Sequence, residues 1–128
     1  MNLEIERTGF ILYTRKYKEC ADFYKETLGL KVFYHKDELT CFEFGGSYLM
    51  VELGDKLDTE DVTLNRELTC LRINVKNVKD ACQILKKSNI PFQYNEFNWG
   101  TIAKFRDPDH NLIAFRSDKE HVLDLQNS

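Results

Sequence analysis

The chain has 128 residues, 42% of them hydrophobic and 30% charged, with a formal net charge of −3. That is the length of one domain, enough to bury a core, and the composition is that of an ordinary globular protein. No apolar run approaches the roughly 20 residues that span a bilayer, and no basic-then-apolar leader precedes the first strand. The acidic balance also lacks the clustered excess base of a nucleic-acid surface, so a cytoplasmic protein with neither membrane nor nucleic acid as partner is expected. Four cysteines (Cys20, Cys41, Cys70, Cys82) lie far apart, form no CxxC and do not cluster with the three histidines. Reduced thiols, rather than a zinc knuckle or a disulfide scaffold, follow from that spacing.

In chain order, the first element is "GFILYT" (9–14), a short apolar strand. It leads into Tyr17–Leu28, where Tyr17, Cys20, Ala21, Tyr24 and Leu28 recur at helical spacing and Gly29 stands as the cap. Three β-type segments follow: "KVFYH", "TCFEFG" and "YLMVEL". A charged connection, Gly54 to Glu67, has no period. The pattern then repeats after a shift of 61 residues: "CLRINV" (70–75) is a strand, and Val78, Ala81, Cys82 and Leu85 mark a helix face. Asn77 suits its N-cap and Asn89 stands where Gly29 stood. "PFQYN", "GTIAKFR" and "NLIAFR" complete the second copy. The unit is βαβββ, twice, and the tail from Asp118 lies outside it.

Alternation assigns the faces. Leu71, Ile73 and Val75 belong under the second helix, so Cys70, Arg72 and Asn74 point the other way. Phe10 and Leu12 take the helix side of the first strand, leaving Gly9, Ile11 and Tyr13 opposite. Leu49, Val51 and Leu53 are core, while Tyr48, Met50 and Glu52 share the other face. Ile113 and Phe115, with Ala103 and Phe105, point inward. Leu112, Ala114 and Arg116, with Ile102, Lys104 and Arg106, point outward. Two four-stranded sheets, each backed by one helix, would thus turn mixed polar and apolar faces toward a cleft.

"FRDPDHNLIAFR" (105–116) carries a tight turn, because Asp and Asn bond their own backbone and Pro presets φ. Asp107, Asp109 and His110 there suit either a metal or acid–base role or a turn without chemistry.

The strings "FYKETLGLKVF" (23–33), "FEFGG" (42–46) and "WGTIAKFRDPDHNLIAF" (99–115) resemble the glyoxalase / bleomycin-resistance / extradiol-dioxygenase superfamily, the vicinal oxygen chelate fold. The resemblance covers residues 7 to 117. It implies an α+β fold of two tandem βαβββ modules forming curved mixed sheets around a cleft. Module 1 would run about 7–53, the linker 54–67, module 2 about 68–117 and the tail 118–128, all one domain. It also implies that the DPDxN turn is a structural hairpin. The family's metalloenzymes hold zinc, nickel, manganese or iron with His, Gln or Glu at four positions, which here fall on Gly9, Glu52, Cys70 and Ala114. Gly9 and Ala114 have no donor, and Glu52 with Cys70 cannot make a three-ligand set, so neither a metal nor another cofactor is expected.

The resemblance therefore favours a metal-independent protein that binds a small molecule, with Tyr13, Met50, Glu52, Cys70, Arg72, Asn74, Ile102 and Lys104 lining the cleft. The alternative is a lyase, isomerase or dioxygenase with an atypical site, in which Glu52 would be the base. A third class is a structural or regulatory dimer, and a homodimer is expected in either case. Each residue also has a plainer reading. Cys70 suits a small apolar filler; Glu52 suits an ion pair with Arg72; Arg72, Lys104 and Arg106 suit a solvated face. Tyr13, Tyr48, Met50 and Trp99 stack on a ligand or fill a seam, and His35 and His121 sit at the surface. Three positive side chains against Glu52 fit a neutral or anionic ligand better than a cationic drug.

Overall fold

The computed structural model describes residues 4–54 and 69–117. The chain divides into two units, with the boundary between residues 58 and 59. The charged connection lies almost wholly outside the described residues, as do the tail and His121.

The first unit runs β1 (Gly9–Thr14), α1 (Tyr17–Asp22), β2 (Val32–Lys36), β3 (Leu39–Phe44) and β4 (Ser47–Leu53). Its sheet has the order β1-β4-β3-β2, with β1 parallel to β4 and the other pairs antiparallel. The second unit repeats this with β5 (Leu71–Val75), α2 (Val78–Lys87), β6 (Phe92–Phe97), β7 (Gly100–Arg106) and β8 (Leu112–Ser117). Its sheet has the order β5-β8-β7-β6, again with one parallel pair, β5 and β8. Both units are thus βαβββ, and the fold class is α+β, as the sequence repeat requires.

Period-2 alternation governs both sheets. In the second unit Leu71, Ile113 and Phe105 form one cross-strand row and Ile73, Phe115 and Ala103 the next, all on the side where α2 packs on β7 and β8. Burying each large apolar side chain there contributes about 1.5–3 kcal/mol. The amphipathic face of α2 supplies Val78, Cys82 and Leu85, all buried. Its start is fixed by Asn77, whose side chain accepts from the Asp80 N–H at 2.9 Å. Lys86 and Lys87 in its last turn complement the helix dipole. Asn89 ends it in the left-handed region, at φ 56°.

The first unit departs from expectation in two places. The helix expected to reach Leu28 is α-helical only to Asp22 and continues as a π-helical turn, Phe23–Thr27. The extra residue of that turn rotates the inward face, so Phe23 and Tyr24 are buried together with their rings edge-on at 5.3 Å. Phe10, expected in the core, is half exposed. Its row on the helix side is filled instead by Leu49 and Phe42, both fully buried. At the other end of β1 the buried Thr14 hydroxyl accepts from the Lys16 N–H at 2.9 Å and lies 3.5 Å from Cys20 Sγ, so its burial is compensated.

Candidate functional site

The Asp-Pro-Asp-His-Asn turn is scaffold. Asp107, 3% exposed, accepts from the backbone N–H groups of Asp109 and Asn111, each at 2.9 Å, and from Asn111 Nδ2 at 2.8 Å. Its carboxylate is consumed by the loop it closes. His110 takes the left-handed corner, at φ 66°, and its carbonyl accepts from Arg106 at 3.1 Å.

Several of the expected site residues share the face of the second sheet opposite α2. Pairing puts Arg72, Ala114, Lys104 and Gln93 in one row across β5, β8, β7 and β6. Arg72 and Lys104 are exposed, and among the described residues neither side chain makes a hydrogen bond or ion pair. Two strand spacings, about 10 Å, separate their backbones, with only the Ala114 methyl between them. A planar acid laid over that methyl meets a guanidinium fork on one side and an ammonium on the other.

The next row holds Asn74, Arg116, Ile102 and Asn95. Ile102 is buried here, so of the expected lining residues it forms floor rather than rim. Arg116 is also buried, at 6% exposure, with its guanidinium 4.9 Å from the centre of the Trp99 ring and donating to the Trp99 carbonyl at 3.3 Å. Trp99 in turn stacks on Phe97, centroids 4.9 Å apart and planes 9° from parallel. Both rings are about half exposed. Arg116 thus fixes an aromatic step and Arg72 with Lys104 remain the cations open to a ligand. Sequence reasoning placed Arg116 on this face without giving it a role, and missed Phe97, which belongs to β6 beyond Asn95. Continuing the alternation of Gln93 and Asn95 by one step finds it. Among the described residues this face carries no carboxylate.

Tyr13, Met50 and Glu52 lie on the face of the first sheet opposite α1. Tyr13 stands beside Glu52, and Ile11 beside Met50. Cys41 shares this face, and burial, reinforced by the charge of Glu52, pushes its thiol pKa up. Burial and, secondarily, the Glu52 charge thus disfavour the Cys41 thiolate. Cys70 is exposed at the edge of the second unit.

The four positions aligned with the family's metal ligands do not fit a divalent cation. The Tyr48 ring lies over Gly9, in the space a side chain at that position would fill. That ring and Phe33 carry the Arg7 guanidinium, 5.3 and 5.2 Å from their centres. Glu52 pairs with Tyr13, four residues along from the row that Gly9 shares with Tyr48, a separation of about 13 Å along the strand. Ala114 offers a methyl between two cations.

Residues 8–118 match the model of the Glyoxalase-like domain. YraH, an uncharacterized protein of Bacillus subtilis strain 168, is 26% identical over 115 residues, covering 80% of this chain and 90% of YraH. Among solved structures, TnmS3, an antibiotic binding protein from Streptomyces sp. CB03234, matches with a TM-score of 0.71 at 20% identity, over 91% of this chain and 98% of its own. Lactoylglutathione lyase from Agrobacterium tumefaciens matches with a TM-score of 0.67 at 18% identity, over 87% and 92% of the two chains. One fold thus spans a binder and a lyase, and the paired βαβββ units are those of the vicinal oxygen chelate fold. With its family model matched from residue 8 to residue 118, the chain belongs to the glyoxalase-like family of the glyoxalase / bleomycin-resistance / dioxygenase superfamily.

Proposed function

We propose that this protein binds a small planar molecule, neutral or anionic, without a metal, on the helix-free face of its second sheet, with Arg72 as the anchoring cation. The observation that carries this reading is the row in which Arg72 and Lys104 flank Ala114 on a face without carboxylates. A guanidinium hydrogen-bonded to a carboxylate contributes about 1.5–3 kcal/mol, enough to set a preference for acids over neutral analogues. The half-exposed rings of Phe97 and Trp99 offer the same ligand a stacking surface. TnmS3 is a precedent for binding in this fold, as the lyase is for catalysis. A catalytic reading would rest on Glu52 alone, beside a tyrosine and a protonated thiol.

A thermal-shift screen with aromatic acids, their neutral isosteres and cationic glycopeptide drugs tests the proposal. Stabilisation by acids that disappears in Arg72→Ala is the expected result. An equal or stronger response to the cationic drugs, with Arg72→Ala neutral, contradicts it. Elemental analysis of protein purified without chelators is expected to give no stoichiometric zinc, nickel or iron; about one metal per chain, released by Glu52→Ala, would overturn the metal-independent part.

A further inference from the structure

The helix side of the first unit holds a second cavity that the proposed ligand face does not use. α1 packs on β4, leaving the helix-side surface of β2 and β3 open beside it. The space is about 440 Å³, within the range of small-molecule sites. Its apolar wall is formed by Val32 and Ala21, backed by the fully buried Phe42.

One end of the cavity is polar. The Tyr17 hydroxyl lies 2.6 Å from Thr40 Oγ1, His35 Nδ1 lies 3.1 Å from the same oxygen, and Tyr17 and His35 are 3.3 Å apart. His35 is exposed, as expected of a surface residue, but it, Tyr17 and Thr40, from β2, α1 and β3, are tied together at the cavity wall. The arrangement that uses both hydroxyl protons has Tyr17 donating to Thr40 and Thr40 donating to Nδ1. The proton of the neutral imidazole then sits on Nε2, which has no hydrogen bond among the described residues and is a donor in the charged ring as well. Lys18, Lys25 and Asp22 also line the space. Lys25 lies 4.0 Å from Glu26, an exposed pair that barely neutralises it.

We propose that this cavity is a second binding site, for a small carboxylate carrying an apolar body of about one aromatic ring. The body packs on Val32 and Ala21, the carboxylate accepts from His35 Nε2, and the lysines favour the anion. The hydroxyl pair behind the imidazole fixes its tautomer and so its use as a donor.

Amide and imidazole NMR titrations of the full chain test the site with phenylacetate, phenylethanol and phenylethylamine as probes. Phenylacetate should shift the His35 ring and the Val32 and Thr40 amides saturably, with the alcohol about tenfold weaker and the amine silent. His35→Ala, at an exposed position, should weaken phenylacetate about tenfold while the spectrum stays dispersed. The double variant Lys18→Gln/Lys25→Gln should erase the preference for acid over alcohol. Arg72→Ala should leave these shifts unchanged, which separates this site from the face of the second sheet. The proposal is overturned by shifts that do not saturate, by equal response to the three probes, or by binding that survives His35→Ala or vanishes in Arg72→Ala.

Discussion

Gly9 shows how one residue changes what a position can offer. Where the family's metalloenzymes place a ligand, this chain has no side chain, and Tyr48 closes over the gap with Arg7 on its ring. A Cβ at position 9 must push that ring aside. Gly9→Ala is therefore expected to lower stability by about 1 kcal/mol, in urea unfolding, through the displaced ring and the lost cation–π contact. In a Tyr48→Ala background the same change should be nearly neutral, and an undiminished effect there would place the strain elsewhere. The cysteines separate just as clearly. Cys70 is exposed, whereas burial raises the pKa of the Cys41 and Cys82 thiols above the ordinary 9.0. Cys70 should react first with a thiol reagent at neutral pH, the other two only on unfolding. Because the folded chain holds those two protons to higher pH than the unfolded chain does, their contribution to stability is full below pH 9.0 and is lost as pH rises through the raised values.

At the scale of elements, the turn after β7 and the start of α2 carry separable stabilities. Asp107→Ala removes three hydrogen bonds and leaves the Asp109 and Asn111 N–H groups without their acceptor. A loss of about 3 kcal/mol in chemical unfolding is expected, and an effect below about 1 kcal/mol would contradict a structural role for this carboxylate. Asn77→Ala, which strips the cap of α2, should lower stability by about 1 kcal/mol. Both features were legible in the sequence, because Asx residues before a helix and in a turn act through local backbone geometry. The end of α1 was not legible. Tyr17, Cys20, Ala21 and Tyr24 fit an ordinary helical period, but pairing Phe23 with Tyr24 inward takes a π-turn, set by packing against Phe42 rather than by spacing. His35 was missed for a related reason: its partners Tyr17 and Thr40 are 18 and 5 residues away and meet only once α1 lies on the sheet.

At the scale of the whole molecule, the repeat decided the architecture. A shift of 61 residues carries β1 onto β5, the first helix onto α2 and β3 onto β7, the longer turn before β8 displacing only the last strand, and each unit folds as that repeat requires. Parity then carried Arg72, Asn74, Ile102 and Lys104 to one face of the second sheet and Tyr13, Met50 and Glu52 to one face of the first. Parity gives a face but not a depth, which is why Ile102 and Arg116 turned out buried while Arg72 stayed open. The exposed aromatic and aliphatic groups of β1 and β2, among them Ile11, Tyr13 and Tyr34, also suit association of two copies. Light scattering at micromolar concentration should return twice the chain mass, and a monomer throughout would sink that expectation.

The most direct test of anion binding without a metal uses Trp99, the chain's single tryptophan, which stands on the proposed ligand face beside Phe97. Its fluorescence should be quenched saturably by an aromatic acid identified in the thermal screen, equally with and without a chelator. The affinity should fall about tenfold in Arg72→Ala and again in the double variant with Lys104→Ala. Quenching that requires a divalent metal, or that survives the loss of both cations, would contradict the account.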